Sequence, residues 1–400
     1  MCGCDWEQRK FREMVESFEY GLNSSATEYD GENKYIRITD IDDSSREFIQ
    51  AGLTSPNTDL EKADNYLLKH GDILFARTGA SVGKSYRYHE KDGKVYYAGF
   101  LIRARVKSEF DSEFIFQNTL TVSYDNFVRI TSQRSGQPGI NANEYACFEF
   151  FVPSKHEQSQ IGKLFRQIDN TIALHQRKLE TLKQLKKGFL QKLFPKNQEN
   201  VPEIRFANFQ AEWEQRKLDE ISDKVTEKNI NNEFTETLTN SAEYGIINQR
   251  EFFDKDISNK KNLNGYYVVR KDDFVYNPRI SNYAPVGPIK RNKLGRTGVM
   301  SPLYYIFRTH NIDKTFLEYY FDTTIWHRFM KLQGDSGARA DRFAIKDSVF
   351  KTMPIPSPSI EEQEKIGCIF KVIDDTVALH QKKLEQLQLL KSGLLQKMFI

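Results

Sequence analysis

Three stretches of this sequence come close to motifs that do chemistry, and each stops short. Gly79-Ala-Ser-Val-Gly83-Lys84-Ser85 has the glycines, lysine and hydroxyl of a phosphate-cradling loop. Such a loop needs four residues between its glycines so that its amides can encircle a phosphate. Here three intervene, and Thr78 stands where the first glycine belongs. Tyr276-Asn277-Pro278-Arg279 begins like the Asn-Pro-Pro-aromatic motif of amino-methyltransferases, but the second proline and the aromatic are missing, and no glycine-rich cofactor loop precedes it. Cys2-Gly3-Cys4 offers two thiolates, and two ligands do not make a metal site. No Ser/His/Asp arrangement and no paired-carboxylate-plus-lysine nuclease signature is found. The expectation is a chain with no catalytic residue, no metal centre and no bound cofactor.

What remains is hydrogen-bond donors set among glycines and aromatics. In the first half these are Arg77, Thr78, Ser81, Lys84, Arg103 and Arg105, followed by Gln133-Arg134-Ser135-Gly136-Gln137. In the second half they are Asn277, Arg279, Ser281-Asn282-Tyr283, Lys290-Arg291, Arg296, Arg339 and Arg342. Arginine reads guanine bidentately, Asn and Gln read adenine, and Lys and Ser mostly hold phosphates. The glycine-flanked loops at Thr131 to Asn141 and Gln333 to Arg342 carry several donors with little bulk, at matching places in the two halves. A solvated surface would also account for many of these residues singly.

The elements that must position these donors are announced by a repeat. Glu157 to Phe194 and Glu362 to Phe399 align without a gap, 205 residues apart, and are identical at 23 of 38 positions. Internal repeats decide the architecture, so this one comes before any local reading. Trp6-Glu7-Gln8-Arg9-Lys10 recurs as Trp213-Glu214-Gln215-Arg216-Lys217, and Pro-Ser precedes each long repeat at 153–154 and 358–359. Pro and Ser ahead of a periodic run are helix-start signals. Each half is therefore a globular region followed by a long helix. Val201 to Phe206 prefaces the second half and has no counterpart in the first.

Both helices show a seam with coiled-coil spacing. In the first it runs Phe165, Ile168, Ile172, His175, Leu179, Leu182, Leu185 and Phe189; in the second Phe370, Ile373, Val377, His380, Leu384, Leu387, Leu390 and Leu394. A helix of this length is a rod of roughly 57 Å. The two seams can pair antiparallel, or each helix can lie on its own globular region. His175 and His380 interrupt otherwise apolar stripes near the centre of each repeat, where a polar seam residue sets register. The first helix carries an excess of Lys and Arg over Asp and Glu, which suits either a phosphate backbone or a solvated face.

The globular regions read as mixed α/β. Strands are predicted at Tyr35 to Ile38, Ile73 to Phe75, Val95 to Tyr97, Phe148 to Phe151, Tyr266 to Val269, Phe274 to Tyr276 and Tyr304 to Phe307, with helix near Asp111 to Leu120 and Lys314 to Leu332. Faint matches run in the same order in both. Gly71-Asp72-Ile73-Leu74 parallels Asp272-Asp273-Phe274-Val275, Val82-Gly83 parallels Val286-Gly287, and Ser135-Gly136 parallels Ser336-Gly337. The predicted architecture is α+β: two globular mixed α/β domains, 1–155 and 196–357, separated by helices at 156–195 and 358–400 that form an antiparallel coiled coil. The whole is a pseudo-twofold internal repeat.

Composition agrees. The chain has 400 residues, 28% of them charged, with a net charge of +3, so a nucleic-acid binder of this kind needs local basic faces rather than global charge. Cys2, Cys4, Cys147 and Cys368 form no zinc-spaced cluster, which suits a reduced, cytoplasmic setting. No stretch approaches the roughly 18 apolar residues of a membrane span, and the N-terminus lacks a signal-peptide core.

The duplicated Glu-Gln-x-x-Ile-Gly … Ala-Leu-His-Gln-x-Lys-Leu-Glu … Gln-Lys helices, with the Gly71 to Lys84 stretch, resemble the specificity subunits of type I restriction–modification systems over essentially the whole length. The resemblance implies two target recognition domains that each read one half of a bipartite DNA site, with the paired helices setting the gap. It implies double-stranded DNA as ligand, and two modification (methyltransferase) subunits and restriction subunits as partners. S-adenosylmethionine, ATP and magnesium would serve those partners. Met1 to Asp5 departs from the Pro-Glu-x-Arg-Phe preface that the second half keeps at Pro202 to Phe206. Alternatives are a coiled-coil scaffold without DNA specificity, and a subunit of a related system whose nuclease and methyltransferase are fused.

Overall fold

A computed structural model describes residues 6–134, 136–196, 199–252, 260–335 and 341–399. The chain divides into two compact units, residues 1–178 with 380–400, and residues 179–379. Both boundaries fall inside the long helices, which run Lys155–Lys192 and Ile360–Met398.

The units share a four-stranded antiparallel sheet of the same spatial order. In the first, a four-stranded antiparallel sheet has the spatial order Val15–Tyr20, Leu101–Val106, Asp72–Ala76, Ser85–Arg87. In the second the order is Ser222–Lys224, Tyr305–Thr309, Phe274–Tyr276, Ile289–Arg291. The repeated Glu-Gln-Arg-Lys segments are strands. Glu7–Lys10 pairs antiparallel with Glu149–Val152, and Glu214–Lys217 with Pro354–Ser357. In each unit this pair is the step from sheet to long helix, which explains why the motif recurs.

The motif Glu-Gln-x-x-Ile-Gly has a physical meaning at each residue. Ser154 and Ser359 accept the amides of Glu157 and Glu362 at 3.4 Å and so cap the long helices. Gln158 accepts the Asp111 amide at 3.0 Å and donates to the Pro153 carbonyl at 2.9 Å. Gln363 repeats both bonds, to the Asp313 amide and the Pro358 carbonyl, each at 2.8 Å. Asp111 and Asp313 are themselves the N-caps of domain helices Ser112–Asn118 and Lys314–Asp322. Gly162 and Gly367 let those caps approach. A Cβ on Gly162 would stand 2.7 Å from Asp111 Oδ1, and one on Gly367 3.1 Å from Asp313 Oδ1.

Within each unit, part of one long helix runs antiparallel to part of the other. In the first unit Phe165 packs on Phe399, Asp169 binds Lys391 at 2.7 Å, and His175 meets His380. In the second, Lys186 binds Asp374 at 2.6 Å and Phe194 stacks on Phe370. Asp169 and Asp374 are repeat equivalents, and so are Lys186 and Lys391. The helices also lie on the domains. Phe114, Ile161, Phe165 and Phe399 share one core, and Trp213, Phe316, Phe194 and Phe370 share the other.

The predicted seam needs correction near its ends. Phe165, Ile168, Ile172 and Leu179 are buried, as are Phe370, Ile373 and Leu384; Leu182, Phe189, Val377, Leu387 and Leu394 are half-buried. Leu185 and Leu390 are instead 43% and 50% exposed. Their seam places are taken by Lys186 and Lys391, whose stems cross the interface and whose amines reach the paired aspartates. The spacing of threes and fours admits either choice, because adjacent residues differ by only one step of the 3.6-residue turn.

The predicted helix over Lys314 to Leu332 is two helices, Lys314–Asp322 and His327–Gln333. Thr323 leaves the helix with ψ 171° while its hydroxyl bonds to the Tyr320 carbonyl, the local competition expected of a hydroxyl side chain. The predicted strand at Tyr35 to Ile38 is Lys34–Ile36, pairing parallel with Val95–Tyr97. Among the described residues, no helix is long and apolar enough to cross a membrane.

Candidate nucleic-acid interface

In each unit, two loops that follow the sheet are tied together by backbone hydrogen bonds. The loop after Asp72–Ala76 meets the loop before Ile140. The Gly79 amide donates to the Pro138 carbonyl at 3.0 Å, the Ile140 amide to the Arg77 carbonyl at 2.9 Å, and Thr78 bridges Gly139. In the second unit the loop after Phe274–Tyr276 meets the segment before Ala344. The Ile280 amide donates to the Asp341 carbonyl at 2.9 Å, the Phe343 amide to the Pro278 carbonyl at 2.7 Å, and Arg279 bridges Arg342. Donors more than fifty residues apart in sequence thus share one small surface in each unit.

In the first unit that surface presents Arg77, Thr78, Gln133 and Gln137. The Arg77 guanidinium lies over the Tyr20 ring, 4.8 Å from its centroid. Gly79 has φ +78°, and a Cβ there would stand 3.0 Å from Gln137 Nε2, so its glycine both permits the turn and leaves room for the glutamine. Ser81 is half-buried in the short 3-10 turn Gly79–Ser81. Gly83, at φ +87°, donates its amide to the Tyr145 hydroxyl at 3.1 Å, and its carbonyl accepts from Tyr124 at 2.9 Å. The stretch is a buttressed strand connection and no phosphate loop.

In the second unit the surface lines a groove of about 580 Å³. Arg279, Ser281, Tyr283 and Arg342 stand along it, with Asn282 exposed beside them. Asn277 is fixed at its floor, donating to the Asn240 carbonyl at 2.8 Å and accepting the Arg279 amide at 3.0 Å. The Ser281 hydroxyl accepts the Ala284 amide at 3.2 Å, holding the turn that displays Tyr283. Burial raises the Tyr276 hydroxyl above its ordinary value, so it stays a neutral donor to the Val286 carbonyl at 3.0 Å.

Several of the predicted donors already have partners within their own unit. Lys84 is 8% exposed; its amine donates to the Ile41 carbonyl at 3.0 Å and pairs with Asp43. Arg103 is buried, held by the Asn65 carbonyl and Glu19. Arg105 grips Asp72 with two bonds of 2.8 and 2.9 Å, and Arg308 grips Asp273 in the same way at 2.8 and 3.0 Å. The Gly-Asp-Ile-Leu motif is therefore a sheet anchor: its aspartate neutralises an arginine on the neighbouring strand. Lys290 pairs with Asp322 and Arg291 with Glu318, both at 2.7 Å, and Arg296 binds Glu236. Arg134 folds back onto Glu144 at 2.6 Å and onto two carbonyls of its own loop. Each of these cations would have to leave a carboxylate before meeting a phosphate. Ser135, Ser336, Gly337, Arg339, Cys2 and Cys4 lie outside the described residues.

The sequence reading missed Tyr20, Asn240, Phe100 and Leu303, which border the same surfaces. Asn240 has its amide nitrogen on the Val275 and Pro288 carbonyls at 2.7 and 3.2 Å. None stands in a donor-rich loop, so composition offers no signal for them; Gly99 before Phe100 and Pro302 before Leu303 are the only local hints. Among the described residues, no group of three or more His, Cys, Asp or Glu is placed to hold a metal ion.

Comparison with known proteins identifies the family. The sequence profile of the type I restriction modification DNA specificity domain matches twice, over residues 4–184 and 210–389. The type I restriction enzyme MjaVIII specificity subunit of Methanocaldococcus jannaschii is 24% identical over 373 residues, which is 88% of this chain and 83% of that protein. The crystal structure of a type I restriction-modification system S subunit from M. genitalium superposes with a TM-score of 0.62 at 15% identity, covering 100% of this chain and 97% of that one. The chain belongs to the family of type I restriction modification DNA specificity proteins.

Proposed function

We propose that this chain is the sequence-specific DNA-binding subunit of a type I restriction–modification complex, with each unit reading one half of a bipartite site. The observation that carries this reading is the pair of matched loop clusters. The same backbone bridge joins Thr78 to Gly139 and Arg279 to Arg342, yet the side chains displayed differ. One scaffold with two dissimilar donor sets suits two dissimilar half-sites. Arg77 and Gln137 in one unit, and Arg279, Asn282 and Arg342 in the other, are the side chains proposed to reach base edges; Thr78 and Ser281 suit phosphate or sugar.

The long helices are proposed to set the gap between half-sites and to dock two modification (methyltransferase) subunits, with restriction subunits joining the assembly in the cytoplasm. The chain itself is proposed to be non-catalytic and to bind no cofactor; S-adenosylmethionine, ATP and magnesium serve the partners.

The test is a methylation map. The chain is co-expressed with its modification subunit in a host lacking adenine methylation, and N6-methyladenine is located by sequencing. A single bipartite motif with a fixed gap is expected. Exchange of residues 1–155 for another family member's domain should change one half-site alone, and a heptad inserted into a repeat helix should change only the gap. A folded, assembled complex that leaves DNA unmethylated would overturn the reading.

A further inference from the structure

Both units place one large apolar side chain in water at the same point of the fold. Strand Val95–Tyr97 is joined to Leu101–Val106 by a tight turn in which the Leu101 amide donates to the Ala98 carbonyl at 2.9 Å. Strand Gly298–Met300 is followed by the equivalent turn, in which the Tyr304 amide donates to the Ser301 carbonyl at 3.1 Å. The third residue of the first turn is Phe100, 65% exposed; the third residue of the second is Leu303, 59% exposed. Among the described side chains, no other phenylalanine is classed as exposed.

Each of the two turns stands beside an arginine of its own unit's proposed interface. The Phe100 carbonyl accepts the Arg77 amide at 3.1 Å. Leu303 lines the groove with Arg279 and Arg342. Pro302 fixes its own φ in the second turn, so little entropy is lost when that turn meets a ligand. An apolar side chain exposed on such a turn has nothing to pack on in free solution. Phe and Leu are both among the side chains that proteins insert between base steps, where unstacking is offset by burial of the wedge.

We propose that Phe100 and Leu303 are wedges that enter the DNA base stack, one in each half-site, and open a base step there. The inference rests on the specificity reading above. A wedge at each end of the site kinks the duplex locally, and it lowers the cost of extruding a nearby adenine for a partner that must act on an unstacked base.

The experiment uses the full chain assembled with its modification subunits, and duplexes carrying the site found by the methylation map. 2-Aminopurine is placed in turn at each position except the methylated adenines. Its fluorescence should rise at one step in each half-site when the complex binds. Phe100→Ala should abolish the rise in one half-site only, Leu303→Ala in the other only, and Phe100→Leu should restore it. Both side chains are exposed, so the alanine variants should keep the wild-type melting temperature. Alanine variants that bind more weakly, or assemble poorly, while keeping the wild-type optical response would overturn the wedge. Such a result assigns the side chains to a thymine methyl or a protein partner and leaves the specificity reading standing. A wild-type complex that binds its site no better than a scrambled duplex would overturn both.

Discussion

His175 and His380 meet ring to ring in the first unit, with Nδ1 of one 2.8 Å from Nδ1 of the other and ring centroids 5.0 Å apart. They are the same residue of the repeat, 205 positions apart. A hydrogen bond between two such nitrogens needs one donor and one acceptor, so one ring carries a proton on Nδ1 and the other does not. Equivalent residues therefore adopt inequivalent states, and an antiparallel register that slipped by a turn would lose the bond. Replacing one histidine by leucine strands the other. We expect His175→Leu and His380→Leu each to lower stability by about 1 kcal/mol and the double variant to recover most of the loss. Urea unfolding of the four-member cycle measures the coupling; additive losses would show that the pair does not act as a unit.

The two glycine pairs of the repeat should respond in opposite directions. Gly162→Ala drives a methyl to 2.7 Å from the capping oxygen of Asp111. The expected cost is roughly 1–3 kcal/mol, and Gly367→Ala should cost less because Asp313 stands farther away, at 3.1 Å. At Gly188 and Gly393 a Cβ meets nothing within 4 Å, and both lie in long helices. Alanine there should stabilise by about 0.5–1 kcal/mol. Thermal melts of the four variants test the ordering.

The preface of the second unit ends in a buried ion pair. Arg205 binds Glu362 through two bonds of 2.7 and 2.8 Å, and Glu362 is fully buried. Its repeat equivalent Glu157 accepts instead from the Trp6 indole at 3.3 Å. Arg205→Ala leaves a buried carboxylate without its partner and should cost about 3–5 kcal/mol. Adding Glu362→Gln should restore part of that. Equal stability of Arg205→Ala and wild type in denaturant titration would contradict the assignment.

Acid should loosen both units through half-buried histidines. Burial, assisted by the Arg87 charge, holds His89 down to about 4; burial, assisted by Lys331, does the same for His327. The folded state then binds fewer protons than the unfolded chain between pH 6.5 and 4. Stability is complete above about pH 6.5 and is lost as pH falls toward 4, by roughly 1–3 kcal/mol per histidine. His89→Gln and His327→Gln should each flatten that part of the stability–pH curve, measured by denaturant midpoints.

Much of the frame was legible because it is periodic or repeated. The long helices, their serine caps and the central histidines recur at an offset of 205; the Glu-Gln-Arg-Lys motif recurs too, at 207, but only the structure shows it to be a strand. The site was legible only as two regions. Arg77 and Lys84 sit seven residues apart in one donor-rich loop, yet one guanidinium lies over an exposed tyrosine while the other cation is buried against Ile41 and Asp43. Arg105, read from the sequence as a possible DNA contact, is held by Asp72 on the neighbouring strand.

The sequence by itself determined the duplicated architecture, the helix seam and its polar centre, and picked out the loops proposed here to form the interface. Those follow from local spacing, capping chemistry and the 3.6-residue period. Only the tertiary structure decided that Lys186 and Lys391 replace Leu185 and Leu390 in the seam, which cations are neutralised, and that Phe100 and Leu303 stand in water. The reason is the same in each case: a side chain's partner is set by long-range packing, and nothing in its own neighbourhood of the chain encodes which carboxylate, ring or solvent it will face.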